Sequence, residues 1–202
     1  MKLLFLTSLI IISFQKSFAQ NIVELKQLVF NKELDKKLIE KQTSFEKREL
    51  TYQLPCYNFQ GEEIGKNFSF NKILLGSGYI SLIVNSLDEN KLLAIRIYQS
   101  DNPPTIGKIE KTIKMEYGEG KVLYKEIYKE QNIMYGNITL GWVDRKNRYH
   151  IYLSKSYGEE NNKQSYSFSI DIVFMEAVYP KTLNFPWKSL IERYESYLRL
   201  RW

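Results

Sequence analysis

The sequence predicts an α+β fold, a mostly antiparallel sheet or sheets with helices packed on one face. Two observations carry that reading. Apolar and polar residues alternate with period two through residues 68–99 and again through 121–175, in runs joined by short turns. Three other stretches, around 23–40, 106–117 and 186–200, instead place apolar residues three and four apart. The order is helix, strands, helix, strands, helix. Short turns between consecutive strands imply antiparallel pairing.

Residues 1–19 read as a signal peptide. Lys2 supplies the positive start, Leu3–Phe14 the apolar run, and Ser17 and Ala19 the small residues before a cleavage point. The run is short for a membrane span, which needs ~20 apolar residues. Residues 20–202 are then expected to form an exported α+β domain, periplasmic or secreted, with no transmembrane segment after cleavage. Halves 20–100 and 101–202 share one order of elements, as a diverged duplication would. In layout this order is similar to the tandem helix–strand modules of the bacterial β-lactamase inhibitor proteins. The likeness includes no motif and carries no residue across.

Leu25, Leu28, Leu34 and Leu38 give the first segment a helical face, with a break near Phe30 where Asn31 can cap. Pro55, Gly61 and Gly65 mark short strands or an ordered loop. Strands follow, and in the last of them Leu93, Ile95 and Ile97 are expected on one face, with Arg96 and Tyr98 on the other. After two prolines, Thr105 is the expected cap of a helix carrying Ile106, Ile109, Ile113 and Tyr117, and Gly118 sits at its end. In "SYSFSIDIVFM" the residues Tyr166, Phe168, Ile170, Ile172 and Phe174 face away from Ser167, Ser169 and Asp171. A final helix is expected from Pro186, with Trp187, Leu190, Ile191, Tyr194 and Leu198 as its apolar stripe.

Chemistry is sparse. The chain has one histidine, His150, and one cysteine, Cys56, so an internal disulfide or a His/Cys zinc site cannot assemble within one chain. No metal and no cofactor is expected. The net charge of +6 is spread out, with Lys and Glu intermixed, and forms no stripe of the kind nucleic acid requires. His150 falls on the polar side of a hairpin, where a partner such as Asp171 would make a general base. No nucleophile-elbow motif accompanies it.

Tyrosine is abundant, at 15 residues, and two Tyr–Arg pairs stand out on strand faces: Arg96 with Tyr98, and Arg148 with Tyr152. Tyr and Arg favour binding surfaces. The leading expectation is therefore a non-catalytic binding module of the bacterial envelope, engaging another envelope protein or a glycan. The alternatives are a small hydrolase using carboxylates or His150, and an inhibitor or immunity-type partner of a toxin or enzyme.

Overall fold

Eight strands form the main sheet of the computed structural model, which describes residues 22–47, 49, 51–86, 89–100, 103–130, 133–160, 163–179, 183 and 185–200. The signal-peptide expectation for residues 1–19 lies outside these. In chain order the elements are β1 (Val23–Glu24), α1 (Lys36–Ile39), β2 (Ser44–Glu46), β3 (Cys56–Gln60), α2 (Glu63–Asn67), β4 (Phe68–Phe70), β5 (Ile73–Leu74), β6 (Gly78–Val84) and β7 (Leu92–Ser100). Then come α3 (Pro103–Tyr117), β8 (Lys121–Glu130), β9 (Ile133–Asp144), β10 (Tyr149–Glu160), β11 (Lys163–Phe174) and α4 (Leu190–Leu200).

The sheet order is β2-β3-β6-β7-β11-β10-β9-β8, with every neighbouring pair antiparallel. Two meanders meet where the last strand of each, β7 and β11, pair at the centre. A small second sheet, β1-β4-β5, includes the parallel pair β1–β4. The fold is α+β and dominated by antiparallel sheet.

Strand alternation divides the core in two. Ile95 and Ile97 of β7, Ile170 and Ile172 of β11, and Ile151 and Leu153 of β10 gather under Ile106, Ile109 and Ile113 of α3. On the opposite face, Ala94, Val173 and Tyr152 meet Tyr52, Leu54 and Leu190, Tyr194 and Leu198 of α4. The two long helices thus cover opposite faces, where a single helical layer was expected. Both faces of the central strands carry apolar residues, so each needs its own cover.

Three local expectations are revised. The first segment is no long helix. It is β1, one 3₁₀ turn (Leu25–Gln27) and the single turn α1, although Leu25, Leu34 and Leu38 are buried as the pattern required. Hydrogen bonds from Asn31 N and Leu34 N to Leu92 O and Asn90 O (2.8 and 3.1 Å) hold it extended, and Asn31 breaks it at φ 57°. Where β6 pairs with β7 the register slips between Ile83 and Val84, leaving Leu93 as the extra residue of β7 on the face opposite Ile95 and Ile97. The last helix begins at Leu190, not Pro186. Ser189 Oγ accepts from Glu192 N (3.1 Å) and the Glu192 carboxylate accepts from Lys188 N (2.8 Å), a reciprocal cap. α3 ends at Gly118, whose φ of 78° closes the helix as expected. No helix among the described residues is long and apolar enough to cross a membrane.

Candidate functional site

The residues singled out in the sequence part ways in the structure. Arg96 and Asp171 lie opposite one another on β7 and β11, 8% and 0% exposed, with Nε donating to Oδ1 at 2.8 Å. Arg96 Nη1 also donates to Glu49 Oε1 (2.6 Å) and to Thr51 Oγ1, and Tyr52 Oη donates to Asp171 Oδ1 (2.9 Å). Burial alone would lower the Arg96 guanidinium, but the Asp171 carboxylate, with Tyr52, Glu49 and Tyr194 adding to it, holds it above its ordinary range. Asp171 Oδ2 meets no donor among the described residues.

Tyr152 is 1% exposed and stacks on Tyr194 of α4 with ring centroids 4.4 Å apart. His150 Nδ1 lies 3.1 Å from Tyr152 Oη, and its cross-strand neighbours are Val173 and Val143. Burial lowers its pKa, with Glu195 opposing. The histidine thus meets a tyrosine, while Asp171 is taken by Arg96 and Tyr52. Arg148 sits in the β9–β10 turn and pairs with Glu176 (Nε to Oε1 2.8 Å). Of the four binding residues expected, Arg96 and Tyr152 are buried, Arg148 is exposed in its turn, and Tyr98 lines an open surface of the sheet.

That surface is the half of the α4 face which α4 leaves bare. Matching positions across β7, β11, β10, β9 and β8 form rows. Tyr98, Ser169, Ser154, Thr139 and Tyr124 make one, at the margin of α4, where Thr139 is buried and Ser154 Oγ lies 3.4 Å from Tyr194 Oη. Ser100, Ser167, Ser156, Asn137 and Glu126 make the next, which is open. Beyond them stand Tyr135 and Tyr128, each 46% exposed, with ring centroids 6.4 Å apart. On the other side Tyr98 stacks on Tyr79 at 5.1 Å. Tyr98 and Tyr135 are three strands and four residues apart in register, which spans roughly 20 Å.

The groove between them has a volume of about 570 Å³, and among the described residues Glu126 is the only charged one lining it. Period-two alternation puts these hydroxyls on one face, but only the pairing of β7 with β11 brings Tyr98 to the same groove as Tyr135. The individual strands show the first feature in sequence; nothing local shows the second.

The chain matches no protein-family model and no curated protein sequence. Among the described residues no cluster of His, Cys, Asp or Glu is arranged to hold a metal ion.

Proposed function

We propose that the protein is a non-catalytic, exported binding module of the bacterial envelope which holds a neutral glycan across the bare half of the sheet. The observation that carries this reading is the groove itself: stacked tyrosine pairs at both ends, and serine and asparagine between them. A tyrosine ring offers an apolar face to the C–H face of a sugar, and its hydroxyl bonds at the edge. The seryl rows supply donors and acceptors for sugar hydroxyls. Among the described residues Glu126 is the lone lining charge, and none of them supplies the cations that a phosphate backbone or anionic lipid head requires. The export part of the reading rests on the leader-like residues 1–19.

A second reading is a protein partner, of inhibitor or immunity type. Tyrosine with Ser, Asn and Gly is also the composition of protein-recognition loops, where rigid aromatic area combines with adaptable hydrogen bonding.

Affinity electrophoresis through gels cast with neutral polysaccharides, and with an anionic one, tests the proposal. Retardation by a neutral polymer is expected, and Tyr98→Ala with Tyr135→Ala should abolish it. Migration unchanged in every gel would reject the glycan. Recovery of one partner protein from envelope extract, lost in the same double variant, would favour the second reading. Released reducing sugar would reject the non-catalytic part.

A further inference from the structure

At the other end of β9–β11 from the tyrosine groove, the N-terminal segment closes over a cleft of about 900 Å³. Its walls come from chain segments far apart in sequence: residues 24–32, the β4–β5 turn at Asn71 and Lys72, Thr112 of α3, the β9–β10 turn with Arg148, and Phe174. Phe30 lies flat on Phe174, centroids 6.1 Å apart and planes within 1°, and tilts against Tyr149 at 5.7 Å. Those rings give the cleft an apolar wall.

Its charge is one-sided. Lys26, Lys32, Lys72 and Arg148 line it, and Glu24 is the only acid. The Glu24 carboxylate is already engaged by Lys26 N (3.3 Å), Ser69 Oγ (2.8 Å), Asn71 N (2.9 Å) and Lys72 N (2.8 Å). Lys26 pairs with Glu116, and Arg148 with Glu176. Lys32 and Lys72 have no acidic partner among the described residues. The buried amide nitrogen of Asn71 also lacks an acceptor among them.

The backbone is strained in the same place. Asn31 (φ 57°), Asn71 (51°), Lys72 (62°) and Arg148 (62°) all adopt the left-handed conformation and all line the cleft. Such positions cost of order 1 kcal/mol each and cluster where a geometry is held for a ligand. Here the strained turns place Lys72 and Arg148 at the rim.

We infer that this cleft is a second binding site, for an amphipathic organic anion. The apolar body would lie along Phe30, Tyr149 and Phe174. The carboxylate, phosphate or sulfonate head would meet Lys32, Lys72 and Arg148, with an anion oxygen accepting from the Asn71 amide. The volume falls within the range of small-molecule sites, and the lining joins apolar surface to a few convergent polar groups as such sites do. The site is separate from the tyrosine groove and stands or falls without it.

Two fluorescent probes that share an apolar body test the inference: anilinonaphthalene sulfonate, and phenylnaphthylamine, which lacks the sulfonate. The sulfonate should bind the folded protein saturably at one site per chain. The double variant Lys32→Gln, Lys72→Asn should weaken it about tenfold, equivalent to about 1.4 kcal/mol, and leave the neutral probe unchanged. Asn tolerates the left-handed backbone at position 72, and an unchanged unfolding midpoint verifies the fold. Dodecyl phosphate should displace the sulfonate and inorganic phosphate should not. Equal loss of both probes, no loss of either, or displacement by inorganic phosphate alone would overturn the assignment.

Discussion

Arg96 and Asp171 are directly opposed on the two central strands, β7 and β11, and their 2.8 Å contact is closed to solvent. It joins the two meanders by charge as well as by backbone pairing. Removing Asp171 leaves the buried Arg96 with Glu49 alone to balance it, so Asp171→Ala should destabilise by about 3 kcal/mol, the lower end for a broken buried pair. Replacing both Arg96 and Asp171 with apolar residues should cost less than the sum of the two single losses. Urea unfolding of the singles and the double measures the difference, and additive losses would deny the coupling.

His150 makes stability depend on pH. Burial holds its folded pKa below the ordinary 6.5, so the unfolded chain protonates first as pH falls. The contribution is complete above about pH 6.5 and is lost as pH drops toward the folded value. Melting temperature should therefore decline between about pH 7 and pH 5.5, and less steeply in His150→Gln. Identical slopes in the two proteins would assign the decline to other groups.

Cys56 should be inert in the folded protein. Burial raises its thiol to about 12, with the Glu46 and Glu49 carboxylates adding to the shift. The thiolate is the reactive form, so alkylation at mildly alkaline pH should fail until denaturant is added. Modification of the native protein at the rate of the unfolded chain would refute this.

Gly78 is required for its size. A Cβ there would lie 2.0 Å from the Tyr98 carbonyl oxygen, and backbone on the neighbouring strand cannot yield as a side-chain tip can. Gly78→Ala should lower stability by about 1–3 kcal/mol in chemical denaturation. It should also weaken glycan retention by displacing Tyr98.

The sequence discloses those features that depend on neighbours along the chain. Strand alternation from Tyr166 to Ile172, the apolar face of α3 and the Gly118 helix end all follow from local spacing, whereas Phe174, expected on the same face, packs with the opposite cluster at the strand end. The start of α4 was equally local: Ser189 and Glu192 form an S-x-x-E cap, a stronger signal than Pro186. Long-range pairing is different. Arg96 and Tyr98 share a strand face, yet one is sealed beneath Tyr52 and the other opens to solvent, because α4 and the segment with Tyr52 and Leu54 cover only part of that face. Likewise Lys32 and Lys72 carry no signal singly and meet Arg148 only through the fold.

The edge strand β8 determines how copies of the chain can meet. Two copies joining these edges in an antiparallel continuous sheet must oppose residues of the same face, and the two-fold axis then sets one residue against itself. Centred on Lys125 or on Glu126, that arrangement opposes like charges, and centred on Ile127 it sets Lys125 against Lys129. The sequence K-E-I-Y-K along this rim therefore penalises each central register of self-pairing, keeping an otherwise open sheet edge from recruiting its own kind.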